Sequence, residues 1–225
     1  MAEKRTILTY DRTAARYAAR PFYPLAREIE RFVALVGNGK GRLVVDVGCG
    51  PGQYARALAA RGLRVAALDL SAGMLAQARA AGTSGLLQAD MLRLPLPTSV
   101  ADGCFVCASL LHLRRAEVPS ALAEFRRVLR TRGGLYLALK EGEGEEWVSD
   151  GEGGARFFVY YREEEVGRLL AAAGFEVVDG WINPPGAGQR HRWINCFAVA
   201  SNSRANSAAR RQRASTECPT TSSSP

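Results

Sequence analysis

Short β-branched apolar runs alternate with helical patterns of about ten residues, and this rhythm constrains the fold more than any other feature of the chain. "RLVVDVG" (42–48) leads into "QYARALAARG" (53–62). "LRVAALDL" (63–70) leads into "SAGMLAQARAAG" (71–82), which opens on a capping serine and closes at glycine. "GLLQAD" (85–90) and "ADGCFVCAS" (101–109) continue the series, with a helix expected near 115–131 and a fifth strand, "GGLYLALK", at 133–140. "REEEVGRLLAAAG" (162–174) then leads into "FEVVDGWI" (175–182), and "RWINCFAVAS" (192–201) is a last strand. Strands alternating with helices imply βαβ units and a parallel sheet. The end departs from the rule. Only a loop containing "NPPGAGQ" separates the last two strands, which is too short for a crossover helix, so they are expected to pair as an antiparallel hairpin.

Before the first strand, "TYDRTAARYAARPFYPLAREIERFVALVG" (9–37) reads as one or two amphipathic helices interrupted at Pro21 and Pro24. Residues 202–225 hold almost no large apolar side chain. They cannot bury enough surface to offset the entropy of ordering, so a disordered tail is expected. The net charge of +8 raises the question of nucleic acid, but +3 of it sits in the tail (Arg204, Arg210, Arg211 and Arg213 against Glu217) and the rest is scattered. Five cysteines at uneven spacing (49, 104, 107, 196, 218) form no disulfide framework and fit a reducing compartment. The start, "MAEKRTILTYDR", has no apolar core of a secretory leader, and no apolar run approaches the roughly 18 residues of a membrane span. The expectation is a soluble, cytoplasmic protein.

Gly48, Gly50 and Gly52 fall where the first strand meets its helix, the place where open parallel sheets bind ligands. The spacing is G-x-G-x-G, and Pro51 has no N–H to offer a pyrophosphate. The turn therefore suits a ligand without a diphosphate. Asp69, ending the second strand 17 residues after Gly52, lies near the spacing at which an acid reaches ribose hydroxyls. Together these features point to a nucleoside.

With these parts assembled, the chain resembles the class I S-adenosylmethionine-dependent methyltransferases, in particular their small type 11 group. The likeness rests on "VVDVGCGPGQYA", "VAALDLSAGML", "LLQADMLRLPLPTSVADGCFVCASLLHL" and "LRTRGGLYLALK" taken together. It implies a Rossmann-like three-layer α/β sandwich whose seven-stranded, mostly parallel sheet has an antiparallel last strand. It implies an N-terminal helical lid over 1–40 and a cofactor-binding domain over 41–201. It also implies site roles. Gly48, Gly50 and Gly52 would wrap the methionine part of S-adenosylmethionine, with Asp46 beneath them orienting its amino group. Asp69 would hold the ribose, Leu70 and Met74 would flank the adenine, and Asp90 would accept from the adenine amino group beside Met91 or Leu92. Ala108 and Ser109 would line the cofactor near its methyl group, and Tyr10 and Tyr17 resemble lid positions that close over it.

Methyl transfer from a sulfonium needs alignment and exclusion of water more than a nucleophilic triad. Where the acceptor needs a base, His112 after the fourth strand is the candidate; the plainer reading is a histidine that supports its loop. The stretch 140–161, "KEGEGEEWVSDGEGGARFFVYY", reads as an acceptor lid, or else as a packed surface flap. Its glutamates read as a solvated loop, and no metal set is assigned. The cysteines of "CFVC" (104–107) lie three apart in a strand and so face opposite sides, which speaks for core rather than a metal pair. A small-molecule acceptor is the expected partner. Two alternatives are methylation of RNA, especially tRNA, and a scaffold that binds the cofactor without turnover.

Overall fold

The computed structural model describes residues 4–37, 40–149, 151, 154–186 and 190–202. The tail beyond Asn202, Cys218 included, lies outside the described residues. Among them are six α-helices and nine strands. Seven strands form one sheet in the order β3-β2-β1-β4-β5-β9-β8. In it, β1 (Leu43–Val47), β2 (Arg64–Asp69), β3 (Leu86–Gln88), β4 (Ala101–Cys107) and β5 (Leu129–Lys140) run parallel to one another. The last strand, β9 (Trp193–Ala200), is antiparallel both to β5 and to β8 (Phe175–Asn183). The expected sandwich, with its terminal hairpin, is thus the observed architecture.

Alternation along the strands assigns the two faces. Val45, Val47, Cys104, Val106, Leu135 and Leu137 point into the core built with α5 (Val118–Val128) and α6 (Glu163–Ala172). Val44, Phe105, Cys107, Tyr136 and Ala138 point the other way, toward Ile29, Phe32 and Val36 of α2 (Ala26–Val36). Cys104 and Cys107 therefore lie on opposite faces, as their spacing requires. Glycine makes this second face close: a Cβ on Gly103 would lie 2.7 Å from Phe32 Cζ. Glu28 of α2 is buried and accepts from Trp181 Nε1 at 3.0 Å and Asn183 Nδ2 at 2.8 Å, which fastens the helix to β8.

Three details differ from expectation. The first helix, α1, spans Lys4–Ala18 and so starts earlier than the pattern indicates. The fifth strand begins at Leu129 rather than 133, because the chain leaves α5 directly into extended backbone. The stretch read as a loop contains a β-hairpin, β6 (Glu145–Ser149) with β7 (Ala155–Val159), outside the main sheet. Its glutamates are held: Glu141 pairs with Arg192, Glu143 with Arg162, and Glu146 accepts from the Tyr160 hydroxyl. Among the described residues no group of three or more His, Cys, Asp or Glu side chains could hold a metal ion. No helix among them is long and apolar enough to cross a membrane.

Candidate active site

The site begins at the carboxyl end of β1. Gly48, Gly50 and Gly52 have φ of +74°, +54° and +78°, left-handed values that favour glycine. They let the chain turn back so that the amides of Gly48 and Cys49 both donate to Leu68 O, at 2.7 and 2.8 Å. The three glycines then do different work. A Cβ on Gly48 would lie 2.3 Å from Ser109 Cβ, whose own hydroxyl donates to Val47 O at 2.6 Å. A Cβ on Gly52 would meet Thr83 Oγ1 at 2.2 Å, so Gly52 lets α3 (Gln53–Ala59) start against the end of α4 (Ala72–Ala80). A Cβ on Gly50 would meet nothing within 4 Å, because that position faces open space.

That space is a cavity of about 810 Å³. Gly48, Gly50, Asp69, Leu70, Met74, Asp90, Met91, Ala108, Tyr17 and His112 all line it, as do Tyr10 and Ser109. Gly52 and Asp46 do not: Gly52 lies behind the turn, and Asp46 is buried beneath it, 1% exposed. Asp69 accepts from Gly50 N and from Ser71 N, each at 2.8 Å and each on a different oxygen. Each oxygen keeps a second lone pair for a hydroxyl donor. Burial raises the Asp69 carboxyl above its ordinary range, opposed by those amides. Asp90 accepts from Leu92 N at 2.9 Å through one oxygen, leaving acceptor capacity on the carboxylate. Ala108 has φ +54°, unusual for alanine, yet its amide still donates to Ala138 O at 3.1 Å.

Two buried acceptors at this end have no partner among the described residues: Asp46 Oδ2 and Gln53 Oε1, the latter on a cavity-lining residue. An orphaned buried acceptor is costly unless a donor arrives. Burial, with the neighbouring Asp69 charge, pushes the Asp46 carboxyl up to about 8, against an opposing bond from the Ala55 amide. Open space at Gly50, an unpartnered Gln53 carbonyl oxygen on the cavity wall, and acids at the ends of β2 and β3 fit an amino acid joined to a nucleoside.

The opposite end is aromatic and basic. Tyr10 of α1, His112, Phe158 and Tyr160 line it with Lys140, Arg156 and Glu146. The Phe157 carbonyl can only accept, so the Nδ1 of His112, 2.6 Å away, carries the proton. Nε2 then accepts from the Tyr10 hydroxyl at 2.8 Å. Burial drives His112 down to about 3, against the Phe157 bond, with the Arg156 and Lys140 charges adding to the fall. It is a neutral imidazole whose free lone pair is already used.

Several participants carry no signal in the sequence. Asp11 accepts from Ser71 Oγ at 2.6 Å and from Gly73 N at 2.9 Å, tying α1 to the start of α4. Lys140 ends β5, and Arg156 comes from the hairpin. Gln53 and Tyr54 at the start of α3 also line the cavity. Asp11 sits in "YDRTAARY", but nothing in that string names a partner 60 residues away.

A family model described as a methyltransferase domain matches residues 45–137, from β1 through most of β5. A protein of Encephalitozoon cuniculi named as a methyltransferase is 30% identical over 155 residues, covering 61% of this chain and 71% of that protein. The chain belongs to the class I S-adenosylmethionine-dependent methyltransferases. The malonyl-[acyl-carrier protein] O-methyltransferase of Serratia marcescens is 37% identical to this methyltransferase over 160 residues, 67% of this chain and 58% of that one. A namesake from Pectobacterium atrosepticum is 39% identical over 111 residues and is covered to 43%. The chain thus spans about half the length of these curated relatives. Among solved structures, the 1,6-didemethyltoxoflavin-N1-methyltransferase of Burkholderia thailandensis shares the fold with a TM-score of 0.67 at 21% identity, over 87% of this chain and 88% of that one.

Proposed function

We propose that the protein transfers a methyl group from S-adenosylmethionine to a small-molecule acceptor. One observation carries this reading: a single cavity joins the glycine turn and its acids to an aromatic, basic chamber. Its volume, about 810 Å³, lies within the range of small-molecule sites. When bound, the cofactor supplies a sulfonium methyl, an electrophile with its own leaving group. The chain's residues supply the rest. Gly48 and Gly50 bring backbone close to the amino-acid part, with Gln53 as an acceptor for its amino group and Asp46 supporting the turn from beneath. Asp69 holds the ribose. Leu70, Met74 and Met91 pack against the adenine, and Asp90 accepts from its amino group. Ala108 borders the methyl end. Tyr10 and Tyr17, on α1, cover the cofactor and exclude water. His112 acts through Tyr10, fixing the orientation of its hydroxyl.

The names of the Serratia and Pectobacterium relatives record O-methylation, which favours oxygen as the attacked atom. A chamber of this volume walled by aromatic side chains favours a small acceptor over tRNA. Calorimetric titration with S-adenosylmethionine tests the reading. Saturable binding is expected, followed by release of S-adenosylhomocysteine when an acceptor is supplied. No heat of binding at millimolar cofactor would overturn it.

A further inference from the structure

We propose that the acceptor carries a phosphomonoester, that Lys140, Arg156 and Arg190 hold this group at the far end of the chamber, and that the methyl group goes to another part of the acceptor. The proposal rests on the methyltransferase reading above and names its substrate class.

The first observation is the charge on the chamber wall. Lys140, Arg156 and Arg190 line this end of the cavity with a single carboxylate, Glu146; Asp69, Asp90 and Arg20, which lies over the Tyr17 ring, belong to the cofactor end. Lys140 Nζ lies 4.0 Å from the centre of the Phe158 ring, and Arg156 Cζ lies 5.4 Å from the same centre. Burial and Glu146 raise the Tyr160 hydroxyl, and the Arg190 charge opposes them, so Arg190 stands on the Tyr160 side of the chamber. The nearby glutamates are engaged. Glu141 pairs with Arg192, Glu143 pairs with Arg162, and Glu146 accepts from the Tyr160 hydroxyl. Among the described residues none of the three cations has a carboxylate within ion-pair distance. Three cations against one carboxylate leave a net charge of about +2 here. A phosphomonoester, at about −1.5 to −2, neutralises it, and a monoanion does not. Burial, with the Arg156 charge, pushes Lys140 down to about 8 against the Glu146 charge, the response of an ammonium short of counter-charge.

The second observation is that three separate elements deliver these cations to one place. Lys140 ends β5 and pairs across the sheet with Trp193, the first residue of β9, so Arg190 and His191 arrive at the same end just before it. Arg156 comes from β7, two residues before Phe158 and on the same face of the hairpin. His191 fixes the approach to β9. Its ring stacks on Tyr160 with centres 4.2 Å apart, and its Nδ1 donates to the Glu141 carbonyl at 3.0 Å. The donor set matches a phosphate. Each guanidinium offers paired N–H donors to two oxygens, and the ammonium serves the third.

The third observation is distance. Cys107, ending β4, pairs with Ala138 of β5, and Lys140 lies two residues further along the same face. At roughly 3.3 Å per residue, Lys140 stands about 7 Å beyond the level of Cys107, past Ala108 and the cofactor's methyl end. A phosphate held there is an anchor rather than the attacked group. The atom that takes the methyl group lies nearer Ala108.

Trp147 and Trp193 line the same cavity and serve as reporters. The full chain, saturated with S-adenosylhomocysteine, is titrated with cyclohexyl phosphate, cyclohexanecarboxylate and cyclohexanol, reading tryptophan fluorescence. The phosphate is expected to bind at least about a hundredfold more tightly than the alcohol and about tenfold more tightly than the carboxylate, since each added charge-assisted contact is worth about tenfold. Lys140→Gln, Arg156→Gln and Arg190→Gln should each cost the phosphate about tenfold, while cyclohexanol binding and calorimetric cofactor affinity stay within about twofold of wild type. Equal binding of phosphate and alcohol overturns the proposal. So does a carboxylate that binds as tightly as the phosphate, or a phosphate preference that survives all three substitutions. Failure of S-adenosylhomocysteine to bind the wild-type chain is a separate outcome. It sinks the methyltransferase reading itself, and the same titrations without cofactor then decide the phosphate site alone.

Discussion

Gly48 and Asp46 sit two residues apart, and their constraints come from different parts of the chain. Gly48 must be glycine because Ser109 occupies the space of its Cβ. The three-glycine spacing marks the turn, but no string of residues shows which side chain presses on it. Asp46 reads in sequence as a helper of the turn, and the structure adds its cost: a buried carboxyl with an unpartnered oxygen, pushed up to about 8 chiefly by burial. The sign follows from proton counting. The unfolded chain ionises this residue near pH 4, while the folded chain keeps it protonated until about pH 8. Over that window the folded state binds more protons, so Asp46 makes stability fall as pH rises, by at most about 1.4 kcal/mol per pH unit. Above pH 8 both states are ionised and the slope vanishes. Asp46→Asn removes the ionisation, so its stability relative to wild type should rise between pH 5 and 8 and level off beyond. Urea unfolding of both proteins from pH 5 to 9 measures the difference, and parallel curves would contradict this account.

Between elements, the informative contact joins α1 to the hairpin. Thr6 and Thr9 are buried on α1, and their hydroxyls take the place of a neighbouring strand along β7. Thr6 Oγ1 accepts Phe157 N at 2.9 Å; Thr9 Oγ1 accepts Ala155 N at 3.3 Å and donates to Ala155 O at 2.8 Å. Sequence pattern could not reveal this. Threonines in a helix read as tolerated polar residues, and a two-stranded hairpin outside the main sheet carries too short an alternation to stand out from a glycine-rich loop. Yet the hairpin brings Arg156 and Phe158 to the chamber, and the Phe157 carbonyl orients His112. The double variant Thr6→Val, Thr9→Val keeps the volume and strands two amides, at about 1–3 kcal/mol each. Hydrogen exchange is expected to accelerate at residues 155–159 and across α1, with β1, β4 and β5 unchanged. Equal acceleration everywhere would mean that these bonds support the whole fold rather than the cover alone.

Across the whole molecule, the seven-stranded sheet was legible because burial on both faces leaves long apolar runs at regular spacing, and the missing crossover helix before β9 announced the antiparallel end. The cavity was legible only at its cofactor end. That half lies on successive β–α turns of one contiguous stretch, where chain order and spatial order coincide, whereas the acceptor half draws on α1, the end of β5, the hairpin and the turn before β9. The two halves also differ in what holds them. The sheet is fastened by its own ladders and by apolar cores on both faces, while α1 is tied to the hairpin and to α4 by polar contacts from Thr6, Thr9 and Asp11 and to His112 by Tyr10. A ligand seated between sheet and cover should stabilise the folded chain by mass action. Cofactor at a hundredfold its dissociation constant adds about 2.7 kcal/mol. For a chain of this length that raises Tm by roughly 5–10 °C. Thermal unfolding with increasing S-adenosylmethionine should show that rise, and it should shrink in Asp69→Ala, which loses the ribose acceptor and the anchor of the Gly50 amide together. A Tm that stays within about 1 °C at millimolar cofactor would mean that the glycine turn does not hold the molecule its geometry fits.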